Sequence, residues 1–469
     1  MARLSVGEAA AAVGGRVTAG DPRAMIEGAA IDSRALRGGE VFFAFAGERT
    51  DGHRFVPDAL ARGAAAAIVQ EDLPAPSTGA LIRVADTFQA LHDLARFVRA
   101  RTPERLVGIT GSAGKTTTKE LLGAILASRF RTTWTPGNLN NLYGFPLSLL
   151  NVPDGAQWMV AEMGMSTPGE LRQLSLLGRP DAAVFTVVRP VHLEFFGTLA
   201  AIAEAKSEIL AGLSPGGFVV ANADDPEVTR IAKRHGSRVV WYGLRSEAAD
   251  VRARDLAPEP DGAVGSRFTL EAGGRSAEVR LPLHGLYNVE NCVAAAACAW
   301  ALGLPLDGIA AAVRGVEPAS MRGVVHRTQG GFLLIDDSYN SNPDAVDKAL
   351  ESAAAMSGSR RVAVLGDMLE LGPEAPRFHR EAGERAARLG FSPVVAVGEL
   401  SRELAAGAAA AGAQAVWLAD AAAAADWAAG EVHRGDVVLV KGSRGVKLDG
   451  VVRRLLGDPA GNRAGEGTH

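Results

Sequence analysis

The strongest chemical signal in the chain is the run Gly108-Ile109-Thr110-Gly111-Ser112-Ala113-Gly114-Lys115-Thr116-Thr117, set between a strand-like segment at 106–110 and a helical pattern from about 116 to 128. Glycines at such a junction let successive backbone N–H groups wrap a polyphosphate, and the helix N-terminus adds positive potential. Lys115 would reach the β- and γ-phosphates, and the Thr116 hydroxyl would take magnesium. The residue five before Gly114 is Ile109 and not glycine, so this is a shortened variant of the general phosphate loop.

The elements that must position this loop follow from the apolar pattern. With 469 residues, 47% hydrophobic and 22% charged, the chain is too long for one ordinary core and suits about three globular units. Residues 1–103 alternate apolar runs, at 41–45 and 65–69, with alanine-rich stretches, which predicts a small α/β domain ending in a linker at 99–104. Residues 104–317 carry the phosphate loop and further buried-strand runs at 158–161, 182–186 and 217–221. After Pro318 the pattern restarts, with runs at 332–336, 361–365, 393–397 and 436–440, which predicts a third, parallel α/β domain over 318–469 and a frayed tail from about 457.

Alanine is the best helix former, so the alanine-rich segments 405–413 and 421–429 are expected as helices against a sheet, with Trp417 and Trp427 as anchors. Cys292 and Cys298 lie in an alanine-rich helical segment and read as inert core thiols. A formal net charge of −4 leaves no global basic field for nucleic acid. The N-terminal segment has no uninterrupted apolar core and the longest apolar stretch, around 292–306, is short for a span, so a cytoplasmic protein without membrane insertion is expected.

The short form at 110–117 resembles the phosphate loop of the Mur ligases, ATP-dependent amide-forming enzymes, and further motifs along almost the whole chain agree with it. The resemblance implies an α/β fold in three domains: a small α/β UDP-binding domain, a central P-loop ATPase domain with a mainly parallel sheet, and a Rossmann-like C-terminal domain. It implies ATP and two magnesium sites as well. Gly111, Ser112, Ala113, Gly114, Lys115, Thr116 and Thr117 would form the nucleotide loop, and Asn138, in an asparagine-rich segment, would face the phosphates and the substrate. Glu162 and His192 match magnesium ligands, and Lys206 matches the lysine that the family carries as a carbamate, an oxygen ligand for the second magnesium. By itself, a lysine between Glu204 and Glu208 on a helix reads as a solvated ion pair.

The same resemblance assigns Asn288 and Asn291 to adenine, although Tyr287 stands where histidine is common. It assigns Asp336 to the ribose and Arg322 to the phosphates from the domain junction. Ser33 and Arg34 are its candidates for contact with the UDP moiety, and Asn340, Asn342, Lys441 and Ser443 for the remaining substrate. Within the family, the run from Asp337 to Pro343 and the segment 366–372 resemble the member that joins D-alanyl-D-alanine to UDP-N-acetylmuramoyl-tripeptide, which makes these two molecules the expected partners of a monomeric enzyme. The sister ligase for the third amino acid and the folylpolyglutamate synthetases are the enzymatic alternatives. An ATP-driven switch that makes no covalent bond is the alternative of another class.

Overall fold

A computed structural model of the chain describes residues 4–47, 50–191, 193–259 and 264–457. Three larger sheets organise the described residues, with helices packed on them. The first has five strands in the order Arg16–Ala19, Ala80–Arg83, Ala66–Val69, Glu40–Phe43 and Gly28–Ala30, parallel except for the first pair. Its inner strands read as unbroken apolar runs because helices or loops cover both faces.

The central sheet has nine strands in the order Arg275–Leu281, Ser266–Ala272, Val251–Pro258, Arg238–Gly243, Phe218–Asn222, Ala182–Phe185, Arg105–Thr110, Trp158–Glu162 and Thr132–Trp134. Seven of them run parallel. The first two, Arg275–Leu281 and Ser266–Ala272, form an antiparallel ribbon at one edge, which the apolar runs did not lead us to expect. Their alternation of buried and exposed residues, visible as Ser-Arg-Phe-Thr-Leu-Glu-Ala at 266–272, is the period-two signal that marks a strand with one wet face. Arg105–Thr110 lies between Trp158–Glu162 on one side and Ala182–Phe185 on the other, so the order of connections reverses there. A crevice opens outside the carboxyl ends of the strands at such a point, and the phosphate loop sits in it.

The third sheet has six strands in the order Val324–Arg327, Leu333–Asp337, Asp436–Lys441, Arg360–Gly366, Phe391–Val397 and Ala415–Leu418. The expectation of a parallel sheet holds for all but the edge strand Val324–Arg327, which pairs antiparallel with Leu333–Asp337 because only a tight turn at 328–332 separates the two. The alanine-rich segments are helices, Arg402–Ala410 and Ala421–Glu431, while Trp417 belongs to the strand Ala415–Leu418 and donates its indole N–H to Gly398 O at 2.8 Å. The tail from 458 lies outside the described residues.

Connections between the units are short and bonded. Arg99 donates to Gly178 O at 2.8 Å and to Glu104 O at 2.9 Å, so the segment 99–104 is held against the central unit. Asn151 exchanges two hydrogen bonds with the Ala29 backbone, at 3.0 and 2.9 Å, and ties the first sheet to the second. The helix Leu286–Ala301 is alanine-rich because it is buried nearly all round, and burial pushes both of its thiols, Cys292 and Cys298, up to about 12.

The helices Ala375–Arg388 and Arg402–Ala410 meet through glycine: a Cβ on Gly383 would fall onto the Leu404 carbonyl oxygen, and one on Gly407 onto Arg380 O. Alanine in a helix is favoured over glycine by about 1 kcal/mol, whereas forcing two backbones apart costs about 1–3 kcal/mol. Gly383→Ala is therefore expected to lower the thermal midpoint of the protein, measured by calorimetry, while Gly430→Ala, where a Cβ meets open space on the exposed face of Ala421–Glu431, is expected to raise or preserve it.

Candidate active site

The strand Arg105–Thr110 ends just before Gly111 and the helix Lys115–Ala127 begins just after Gly114, so the loop runs from Gly111 to Gly114. Gly111 and Gly114 both have positive φ, 152° and 82°, and a Cβ at either would overlap the Thr186 hydroxyl or the Asn291 carboxamide. Only glycine allows both the turn and this approach. Ser112 N donates to Val187 O at 2.7 Å and Thr186 Oγ1 to Ala113 O at 2.6 Å, which fastens the loop to the neighbouring strand end.

Lys115 folds back on its own loop, donating to Gly111 O at 2.9 Å. Burial depresses its pKa, Glu162 opposes that shift, and Arg322 adds to it. Glu162 ends the strand Trp158–Glu162 and is 2% exposed; it accepts from Thr116 Oγ1 and from Asn140 Nδ2, each at 2.6 Å. Burial works against its ionisation, but Lys115, Arg322, the Thr116 hydroxyl and Lys119 together outweigh it, so its carboxyl lies below the usual carboxylate range. Lys119, fully buried, donates to Thr135 O at 2.7 Å and Gly137 O at 2.9 Å and so holds the turn that presents Asn138.

A cavity of about 310 Å³ surrounds this loop. Of the residues singled out from the sequence, Ser112, Ala113, Gly114, Lys115, Thr116, Thr117, Asn138, Glu162, Asn291, Arg322, Asn340, Asn342 and Lys441 line it. The central and third sheets thus contribute to one wall, since Arg322, Asn340, Asn342 and Lys441 adjoin or end strands of the third sheet. Arg322 stacks 4.0 Å from the centre of the Tyr339 ring, which also lines the cavity and orients the guanidinium.

Other sequence candidates stand elsewhere. Gly111 shapes the loop from behind. Asn288 is buried and donates to His284 O at 2.8 Å, one turn back, instead of facing the cavity. Asp336 also turns away: it is buried, accepts from Ser338 Oγ at 2.6 Å, and burial raises its carboxyl above the usual range despite those bonds. The neighbouring Asp337 takes the cavity position, because alternate residues of a strand face opposite sides. Register explains its partner as well: Asp337 is opposite Lys441 on the parallel strand Asp436–Lys441, and Lys441 Nζ donates to Asp337 Oδ2 at 2.7 Å and Asn340 O at 2.9 Å. Ser443 is buried and accepts from Leu369 N at 3.1 Å.

Ser33 and Arg34 lie in a short 3-10 helix of the first unit, away from this cavity, with Arg34 folded onto Asp32 at 2.7 Å. His192 lies outside the described residues. Lys206 does not line the cavity and is not the solvated ion pair that its spacing suggests: Arg234 takes Glu204 at 2.8 Å, and Glu208 accepts from Gly169 N at 3.0 Å. Lys206 is left 3% exposed, and burial together with the charge of Lys115 depresses its pKa strongly. The cavity-lining residues that the sequence did not single out include Asp337, Tyr339, Glu290, Asp344 and Lys348; the Asp336-Asp337 doublet held a signal, but parity along the strand had to choose between its members.

Comparison with known proteins agrees with this geometry. A model described as Mur ligase middle domain matches residues 109–299, one described as Mur ligase, glutamate ligase domain matches 321–444, and one described as Mur ligase family, catalytic domain matches 25–99. The Escherichia coli (strain K12) protein named UDP-N-acetylmuramoyl-tripeptide--D-alanyl-D-alanine ligase is 37% identical over 380 residues, covering 81% of this chain and 83% of its own. A crystal structure of MurF from Acinetobacter baumannii is similar with a TM-score of 0.85 at 31% identity, covering 97% of this chain and 99% of its own. The structure of MurF ligase from Thermotoga maritima in complex with ADP has a TM-score of 0.80 at 30% identity, covering 92% and 98%. Likeness of this extent, in sequence and in fold, places the chain in the Mur ligase family.

Proposed function

We propose that the chain joins D-alanyl-D-alanine to UDP-N-acetylmuramoyl-tripeptide with cleavage of ATP to ADP and phosphate, working in three units divided near residues 103 and 317. The observation that carries this reading is the single cavity in which a phosphate loop and a buried carboxylate face Arg322, Tyr339 and Asp337 of the following unit. Relatives and structural neighbours named for this ligase support the choice of substrates, and the ADP complex of the Thermotoga maritima neighbour supports the nucleotide.

A carboxylate acylates an amine only after one of its oxygens becomes a phosphate leaving group. The terminal carboxylate of the tripeptide attacks the γ-phosphate of ATP in line, giving an acyl phosphate and ADP. The free amine of D-alanyl-D-alanine attacks the acyl carbon through a tetrahedral intermediate, and phosphate leaves. Phosphoryl transfer of this kind is served mainly by positioning and charge neutralisation. Lys115 and the loop amides hold the β- and γ-phosphates, Arg322 meets the transferred group, and Asp337 takes the ribose that Asp336 cannot reach. Packing of the third unit over the loop keeps water from the acyl phosphate.

Magnesium fits the donor set on two grounds. The Thr116 hydroxyl and the Glu162 carboxylate are hard oxygen donors that meet at 2.6 Å, and Glu162 stays ionised despite its burial. Bound there, the ion would neutralise charge on the phosphates. His192 is a further proposed ligand. Lys206 as an ammonium does not suit a cation, but its environment favours the neutral amine, the form that adds CO2 and loses a proton to become a carbamate with two ligand oxygens.

Phosphate release from ATP with the UDP-linked tripeptide is expected to need D-alanyl-D-alanine, with a UDP-linked pentapeptide seen by mass spectrometry. Turnover with a lone amino acid in place of the dipeptide would overturn the choice of substrate. Asp337→Asn is expected to raise the KM for ATP by about tenfold, a loss of one charge-assisted bond, while Asp336→Asn changes it by less than about threefold. Because the folded pKa of Lys206 is lowered, the neutral amine prevails at pH values where free lysine is protonated. Activity of enzyme stripped of CO2 is therefore expected to fall and to return with bicarbonate, more completely as pH rises; Lys206→Met should show no response to bicarbonate.

A further inference from the structure

We infer that Arg189 is a positioning residue that docks the C-terminal unit onto the phosphate loop through its ion pair with Asp344, so that nucleotide affinity depends on a charge array beside the phosphate site. The inference rests on the ligase reading for the identity of the nucleotide and on the structure alone for the docking. Arg189 is joined to the loop by its main chain: Arg189 N donates to Ser112 Oγ at 2.9 Å, and Ser112 Oγ donates to Arg189 O at 3.0 Å. Its side chain faces the other way, with Nε donating to Asp344 Oδ1 at 3.0 Å and a terminal nitrogen to Asp225 Oδ2 at 2.6 Å.

Asp225 is a fixed abutment. Its side chain is 1% exposed and accepts from Glu227 N, Val228 N and Val188 N, so it caps the helix Pro226–His235 while holding the guanidinium. Asp344, by contrast, belongs to the first turn of Pro343–Ala354 in the C-terminal unit. One turn further, Lys348 pairs with Asp344 at 3.2 Å and with Glu290 of the central unit at 3.6 Å, and Glu290 accepts from Asn222 at 2.9 Å. Asp225, Arg189, Asp344, Lys348 and Glu290 therefore alternate in sign across the junction. Burial works against the charge of Arg189, but Asp344 and Asp225 more than offset it and raise its pKa.

Two features separate this array from simple adhesive. Asp344, Lys348 and Glu290 themselves line the rim of the cavity, next to Asn291, and the residue at the centre of the array carries Ser112 of the loop. When the array opens, the wall from the C-terminal unit leaves the loop. If the docked fraction falls from near one to about a tenth, the apparent affinity falls about tenfold in proportion. Partly exposed pairs are also screened by salt, which gives the array a signature that apolar packing lacks.

The test compares the full-length protein with Asp344→Asn, Arg189→Gln and the double variant. In ATP turnover, Asp344→Asn is expected to raise KM for ATP about tenfold, with kcat changed by less than about threefold. Raising the ionic strength should move the unaltered protein toward that KM and leave the variant nearly unmoved, and the double variant should lose little more than either single one. Small-angle scattering without nucleotide should give a larger radius of gyration for Asp344→Asn. If that variant does not fold, Lys348→Met carries the same comparisons. An unaltered KM, salt response and radius of gyration would overturn the docking role. Failure of the unaltered protein to consume ATP would instead sink the ligase reading, and scattering alone would then decide the docking: an expanded variant upholds it and a compact one ends it.

Discussion

The ion-dipole cluster around Glu162 is the constraint on which the rest of the molecule depends. A carboxylate that is 2% exposed remains ionised only because Lys115, Arg322, Lys119 and the Thr116 hydroxyl surround it. Removing charges from water costs several kcal/mol per ion unless geometry and hydrogen bonds compensate, so every one of these groups has to be held in place by something rigid. Cations are in excess immediately around this carboxylate: Lys115, Arg322 and Lys119 all act on Glu162, and the charge of Lys115 adds to the burial that depresses Lys206. Lys115 and Arg322 at the loop suit a polyanion there, and the glycine loop supplies the backbone donors that a polyphosphate requires.

Rigidity comes from the parallel sheet. Thr116 lies in the first turn of the helix that follows Arg105–Thr110, and Glu162 ends the neighbouring strand Trp158–Glu162; the two strands are paired residue for residue from Arg105 opposite Trp158 to Ile109 opposite Glu162. The reversal of strand order at Arg105–Thr110 opens the crevice, and the alanine-rich helix Leu286–Ala301 packs beside the loop helix closely enough that Asn291 touches the place a Cβ of Gly114 would fill. The same logic operates in the third sheet, where adjacent parallel strand ends bring Asp337 and Lys441 into contact and aim the first of them at the cavity. Both sheets therefore present their carboxyl ends to a common space, and the ligands proposed for that space need contributions from each.

Much of this was legible from the residues in order. The strand runs, the phosphate loop and the alanine-rich helices were visible because apolar periodicity and glycine placement are local properties, and the family resemblance rested on short contiguous motifs such as 110–117 and 337–343. The antiparallel ribbon Ser266–Ala272 with Arg275–Leu281 was as clearly patterned, yet it lay outside any motif that carries chemistry.

Local sequence determined which residue types were available: a lysine and threonines after a glycine turn, a carboxylate at a strand end, an acidic doublet, an arginine after methionine. Tertiary structure alone decided which of them share a cavity. The choice of Asp337 over Asp336 depends on the side to which one strand turns each residue, the seclusion of Asn288 on a helix bond to His284, and the lone burial of Lys206 on Arg234 and Gly169 claiming the glutamates beside it. Arg189 gave no signal at all, since its two partners lie 36 and 155 residues away in the chain. Sequence fixes what each side chain offers within a turn or a strand; long-range packing fixes the neighbours, and it is the neighbours that set the charge.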